Sequence, residues 1–207
     1  MKWLFFPIAA LLGYLVCAIN PAIFLSRRVY GKDIRECGSG NPGFTNFKRC
    51  FGGRIAWLVF LFDMLKAAVV VVPMGVVYGA YFGDFAVGAA FTGLFCVLGH
   101  AYPVAYGFKG GKGFLVSLAT LWAVDARVGA ISTLFMVVLL LITHYMSLST
   151  VVSLLVAPVF LLLFKIPVVA VLLVSTIVLF TAFRHRENFK RLFSGCESKF
   201  YLGAKKK

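Results

Sequence analysis

The sequence predicts an all-α integral membrane protein with seven transmembrane helices, one of them short. Three observations carry that prediction. Of 207 residues, 61% are hydrophobic and only 14% charged, where a soluble domain carries roughly a quarter charged residues. Apolar runs recur at lengths near the ~20 residues that span a ~30 Å hydrocarbon core. The net charge of +14 gathers at the ends of those runs rather than along them.

The first run, about Leu4–Leu25, opens like a secretory leader, with Lys2 ahead of apolar residues. Val16 stands where lipoprotein cleavage before Cys17 wants a small residue, and further apolar runs follow, so it reads as an uncleaved span. The later runs are Ile55–Ala80, Phe85–Tyr106, Phe114–Val124, Val128–Tyr145, Leu148–Phe164 and Pro167–Phe183. Their unbroken hydrophobicity argues for helices rather than barrel strands. Phe114–Val124 reaches only ~16 Å as a helix, yet making it re-entrant would carry the basic tail outside, against the charge rule. It therefore reads as a short crossing shielded by its neighbours.

With the N-terminus outside and the C-terminus cytoplasmic, Lys2, Arg127 and Lys165 fall on the outer side and Lys66 inside a span. Every other Lys and Arg falls on the inner side, including Lys205, Lys206 and Lys207. Positive inner loops thus explain most of the charge, and nucleic acid is not a required partner. No hinge or internal repeat of transporter type divides the chain. Residues 1–207 read as one membrane domain, with 184–207 a basic cytoplasmic tail. The five cysteines lack zinc-like spacing and read as unpaired small residues.

Two glycine-rich loops interrupt this pattern on the inner face: Gly38–Gly43 (GSGNPG) and Phe108–Gly113 (FKGGKG). Successive backbone N–H groups in such loops can form nests for phosphate oxygens. Ser39, Asn41, Thr45 and Asn46 add polar contacts to the first, flanked by Arg35, Lys48 and Arg49. By itself it is also compatible with a simple Asn-Pro-Gly turn. The second loop offers Lys109 and Lys112 but fails the nucleotide P-loop pattern, because Tyr106 and Gly113 stand where Gly and a hydroxyl residue are needed. His100 ends an apolar run, and its ordinary pKa near neutrality suits a contact to phosphate or a reacting hydroxyl. Asp63 and Lys66 share a helical face inside a span, where buried charges pair. His185 and Asn188 sit three apart at a helix end, beside Arg184 and Arg186. Asp33, Glu36 and Asp63 lack a metal-ligand arrangement, so neither metal nor cofactor is called for.

In order along the chain, GSGNPGFTN (38–46), FDMLK (62–66), Gly99-His100…Pro103 with FKGGKG, and Arg184-His185…Asn188…Arg191-Leu192 resemble the bacterial acyl-phosphate:glycerol-3-phosphate acyltransferases, the PlsY family. The resemblance spans almost the whole chain. It implies a multi-pass enzyme of the bacterial inner membrane, working in phospholipid biosynthesis with its site on the cytoplasmic face. Its partners would be acyl phosphate, glycerol 3-phosphate, membrane lipids and an enzyme that makes acyl phosphate. The products are lysophosphatidic acid and phosphate. By resemblance Arg35 helps hold substrate, the glycine-rich motif holds the phosphate of glycerol 3-phosphate, and His185 and Asn188 occupy activity-related positions. His100, Lys109, Lys112 and Ser147 match residues around the polar pocket, and Glu197 matches a structural acid. Two departures stand out: Ala18 replaces a serine of the first motif, with Asn20 a candidate substitute, and Phe44 replaces a small residue in the second.

Acyl phosphate is already activated, so the protein must supply positioning, charge stabilisation and a route for one proton. Arg35, the Gly38–Gly43 loop and Lys112 are expected to bind phosphate groups. His185, His100 or a substrate phosphate is expected to take the proton. Two other readings use the same residues: a transporter of an anionic lipid precursor, and a catalytically weak homologue acting as a scaffold.

Overall fold

A computed structural model describes residues 2–201; Lys205, Lys206 and Lys207 of the expected tail lie outside the described residues. Regular structure within them is helical: α1 (Phe5–Ala18), α2 (Pro21–Tyr30), α3 (Phe44–Phe51), α4 (Ile55–Phe82), α5 (Phe85–Ala101), α6 (Phe114–Val124), α7 (Ala126–Thr143), α8 (Met146–Leu155), α9 (Ala157–Leu163), α10 (Val168–Arg184) and α11 (Arg186–Phe193), with short 3-10 turns between some of them. Each predicted apolar run is helical, two of them as a pair of helices. Five helical stretches are long and apolar enough to cross a membrane, the α10–α11 pair, bent by 52°, supplies a sixth, and α6 is shorter.

The first run is broken rather than continuous. Pro21 has no N–H to donate, so the helix ends at Ala18, and Asn20 Oδ1 accepts from Ile23 N (3.0 Å) to start α2. The carbonyl freed at Ile19 is taken by Lys66 Nζ at 2.8 Å. A second break falls at Val156, ahead of Pro158, and separates α8 from α9.

Helix α5 is the central helix, packed against α1, α4, α6 and α10. Small residues permit that closeness, as is usual where lipid supplies no hydrophobic drive between helices. A Cβ at Gly93 would stand 2.2 Å from Thr120 of α6, and one at Gly99 would stand 2.1 Å from the Tyr14 carbonyl of α1. Outward, Leu134, Ile142, Leu172 and Leu179 are mostly exposed. So broad an apolar exterior suits acyl chains and not water.

The bundle has two chemically distinct ends. One carries Lys2, Asp84, Asp125, Arg127 and Lys165, with Asp84 and Asp125 capping α5 and α7. The other carries both glycine-rich loops, α3, the α7–α8 turn and α11. The basic segment after α11 packs on the bundle as far as Tyr201: Phe200 is buried beside Phe44, Phe47 and Leu140, and its N–H donates to the His144 carbonyl (2.7 Å). One expectation is corrected at this end. Cys37 and Cys50 are bonded as a disulfide across a Cα separation of 6.2 Å, while Cys17, Cys96 and Cys196 are free. The turn that closes the first loop brings together two cysteines that sequence spacing alone did not pair.

Candidate functional site

A cavity of about 790 Å³ opens at the loop-bearing end. Its wall includes Gly38, Ser39, Asn41, Gly43, Thr45, Asn46, His100, Lys112, Ser147, His185 and Asn188. Eleven of the fourteen residues singled out from sequence therefore meet at one place, although they derive from four separate segments. Arg35, Gly40 and Lys109 do not line it. The Arg35 guanidinium is engaged with Asp33 (Nη2–Oδ2 2.8 Å) and the Tyr106 carbonyl (2.8 Å). The hydrogen bonds from Arg35 hold the Asp33 carboxyl far below its usual range. Arg35 thus clamps the first loop to the second from behind. Lys109 is exposed, and Gly40 supplies a left-handed turn residue (φ +69°) next to the Arg35 carbonyl.

The first loop is held from within. Asn46, 1% exposed, accepts from Ser39 N (2.9 Å) and donates to the Cys37 carbonyl (2.9 Å). Gly40 N bonds the Cys37 carbonyl and Gly43 N bonds the Asn41 carbonyl, both at 3.0 Å. Most of the expected nest is consequently spent on itself. What faces the cavity instead is the start of α3, where Gly43 provides no side-chain cap. The first turn of any helix leaves its N–H groups unpaired and carries partial positive charge. Helices α6, α8 and α11 likewise begin without side-chain caps at cavity-lining residues: Gly113, Phe114 and Leu115; Met146 and Ser147; and His185 and Asn188 respectively. At the far end α5 and α7 are capped by aspartates, while α1 and α10 begin there without a side-chain cap. Four unfilled helix N-termini on one cavity make it a seat for anions.

Asn20 does not replace the hydroxyl lost at Ala18. Its Oδ1 caps α2, and its Nδ2 donates to the Pro42 carbonyl (3.2 Å). It tethers the first loop to the α1–α2 break.

A chain of polar contacts crosses the second half of the site. Lys112 Nζ donates to Asn188 Oδ1, and Asn188 Nδ2 donates to Glu197 Oε1 (2.7 Å). Glu197 also accepts from Ser147 Oγ (2.8 Å) and Arg191 Nε (2.9 Å). An ammonium only donates and a carboxylate only accepts, so the amide of Asn188 has one permitted orientation. Burial works against ionised Glu197, but the bonds from Asn188, Ser147 and Arg191 outweigh it and lower its pKa. Burial, with Arg191, Arg184 and Arg49 nearby, pulls Lys112 down to about 8. That crowding of cations is what a bound phosphate would relieve. His185 Nδ1 lies 2.8 Å from the Thr181 carbonyl; a carbonyl only accepts, so Nδ1 carries the proton and the neutral ring keeps its lone pair on Nε2.

Part of the wall is apolar and was not legible from sequence: Trp57, Phe60, Met136, Val137, Leu140 and Met146. Such residues look the same whether they face lipid, core or cavity. Arg49 and Arg191 also line it; their positions beside the glycine loop and Asn188 were the available signal.

The family profile described as "Glycerol-3-phosphate acyltransferase" matches residues 7–195. The glycerol-3-phosphate acyltransferase of Pseudoalteromonas translucida is 37% identical over 95% of this chain and 92% of its own length. That of Aquifex aeolicus is 37% identical over 97% of this chain and its full length. Among solved structures, the glycerol 3-phosphate form of PlsY (YgiH), an integral membrane glycerol 3-phosphate acyltransferase, superposes with a TM-score of 0.86 at 34% identity, covering 94% of this chain and 95% of that one. The lysophosphatidic acid form of the same protein gives 0.83 at 32% identity, with the same coverage.

Proposed function

The chain belongs to the glycerol-3-phosphate acyltransferase family, and from that premise we propose its donor, its chemistry and its side of the membrane. It is a membrane-embedded enzyme that acylates glycerol 3-phosphate. The donor is acyl phosphate. One observation carries this reading: a cavity ringed by helix N-termini and cations at its polar end continues into a wall of Trp57, Phe60, Met136 and Leu140. Two phosphate-bearing reactants and one acyl chain need that division.

The α3 N-terminus, Ser39 and Asn41 seat one phosphate group, and Lys112 with Arg191 seats the other. The first hydroxyl of glycerol 3-phosphate attacks the acyl carbonyl carbon. The new C–O ester bond forms as the bond to the phosphate oxygen breaks. Inorganic phosphate leaves with the electron pair, and the hydroxyl proton passes to His185 Nε2. Glu197 touches no reactant; it orients Asn188, which aims the Lys112 ammonium. The whole chain serves as one domain with seven crossings, its N-terminus outside and the cavity on the cytoplasmic side of the bacterial inner membrane, as the charge asymmetry argues.

Purified protein offered glycerol 3-phosphate and palmitoyl phosphate, with palmitoyl-CoA as control, tests the donor. Lysophosphatidic acid formed from palmitoyl phosphate alone supports it. Product from palmitoyl-CoA instead overturns it, and translocation of an anionic lipid without ester formation would favour the transporter. Membrane-impermeant labelling of cysteines placed at Ser39 and Lys112 tests the side: reaction from the cell exterior overturns the cytoplasmic placement.

A further inference from the structure

At the cavity wall, where Asp63 and His100 are both lining residues, lies a buried charge cluster to which the mechanism assigns no task. The side chain of Lys66, 9% exposed, has three acceptors around its ammonium: the Ile19 carbonyl at 2.8 Å, Asp63 Oδ1 at 2.8 Å and His100 Nδ1 at 3.0 Å. Asp63 Oδ1 meets the ammonium as a charge pair without a well-directed hydrogen bond. Asp63 and Lys66 are i,i+3 neighbours on α4, so their pairing is local. The third partner is not local, since His100 ends α5.

An ammonium has only donors to offer, so the imidazole nitrogen facing it must present a lone pair. Asp63 Oδ1 is 3.5 Å from the same nitrogen, farther than the ammonium at 3.0 Å. The His100 proton is therefore on Nε2, which has no hydrogen-bond partner among the described residues. Its Nε2 edge lies against the backbone of Gly111. A Cβ on Gly111 would fall 2.2 Å from Nε2, and Gly111 N donates to the His100 carbonyl at 3.1 Å. The ring is held between the Lys66 ammonium and the second glycine loop, and it lines the cavity. His185 has the opposite polarity, with its proton bound inward to Thr181.

We propose that Lys66 and Asp63 are positioning residues that hold His100 with its proton on Nε2, so that His100 serves the reaction as a hydrogen-bond donor to a substrate oxygen and not as a base. This assignment rests on the acyltransferase reading of the cavity. It divides labour between the two histidines: His185 accepts a proton and His100 stabilises charge. It also gives Lys66 a second role besides closing the α1–α2 break.

The test is a double-mutant cycle on the full-length enzyme, combined with nitrogen NMR of labelled histidine. Glutamine places an N–H donor near the position of imidazole Nε2 but cannot act as a base. His100→Gln should stay within about fivefold of the parent kcat, while His100→Ala should lose about 10²-fold with little change in KM for glycerol 3-phosphate. Lys66→Met should cost about tenfold in the parent and nothing further in His100→Ala, because neighbours acting through one group are not additive. The His100 signal should report Nε2–H in the parent and lose that preference in Lys66→Met. Equal inactivity of His100→Gln and His100→Ala, an additive cycle, or an Nδ1–H signal would each overturn the proposal. If Lys66→Met does not fold, Asp63→Asn carries the same cycle and the same spectrum. Parent enzyme that makes no lysophosphatidic acid sinks the acyltransferase reading instead, and the tautomer measurement still decides whether Lys66 sets the ring.

Discussion

Lys112 is the residue where electrostatics and function meet most directly. On the proposed reading it binds a phosphate oxygen, which it can do only as an ammonium, and its surroundings bring its pKa down to about 8. In the free enzyme that ammonium is present below this value and lost above it. We expect kcat/KM for glycerol 3-phosphate to fall as pH rises through about 8 in the parent, and to stay level in Lys112→Arg, whose guanidinium does not titrate there. Lys112→Ala should cost about 10- to 100-fold, the range of a charge-assisted bond of ~1.5–3 kcal/mol. Asn188 gives a sharper case. Aspartate at this position would set a carboxylate where Glu197 now accepts an N–H at 2.7 Å. Asn188→Asp should therefore lose more activity than Asn188→Ala, measured at neutral pH. Sequence reading reached Asn188, His185 and Lys112 through residue type and spacing at a helix end and a basic loop. It could not show the contacts of Arg35, because a guanidinium beside a phosphate loop and one bound to a neighbouring aspartate are the same letters in sequence. Only the fold shows that Asp33 and the Tyr106 carbonyl already occupy it.

At the level of single elements, the glycine loops were legible as special segments, but their use was not. The first loop spends its N–H groups on Asn46 and on itself, and the cationic feature it delivers is the uncapped start of α3, which loop composition does not reveal. The second loop is glycine-rich for a steric reason. Gly111 lies where any side chain would strike the His100 ring. Gly111→Ala should lower stability by about 1–3 kcal/mol, the usual cost of overpacking, and should reduce kcat by displacing His100. Comparing thermal unfolding with single-turnover rates separates the two effects. The Cys37–Cys50 bond spans the first loop, yet Asn46 already ties the same segment through Ser39 and Cys37. The double variant Cys37→Ser, Cys50→Ser should keep kcat/KM within about twofold, since both cysteines are only half-buried and the Asn46 network stays intact. Loss of activity in that variant would mean that the disulfide, and not Asn46, sets the loop.

Across the whole molecule, the run-by-run helical pattern was written in hydrophobicity, whereas the closing of the site by the C-terminal segment was not. Residues after α11 look polar and basic in sequence, as a solvated tail would. In the structure they return to the bundle, where Tyr201 packs on the His144 ring and Phe200 is the buried aromatic anchor. Phe200 is 7% exposed, its ring sits under Lys48 Nζ at 4.8 Å, and its N–H closes on the His144 carbonyl. Glu197, three residues earlier, is thereby delivered to Ser147 and Asn188, which come from different parts of the chain. The anchor and the acid are coupled by the short backbone between them. Truncating the anchor with Phe200→Ala should release this segment while leaving the membrane-embedded helices intact. The expected signature is split: bundle unfolding moves little, cleavage by trypsin after Lys199 accelerates, and kcat/KM falls about as far as in Glu197→Ala. Combining Phe200→Ala with Glu197→Ala should then cost no more than either alone, because both remove the same support from Asn188. Independent, multiplying losses would show that Phe200 acts on the site by some route other than the placement of Glu197.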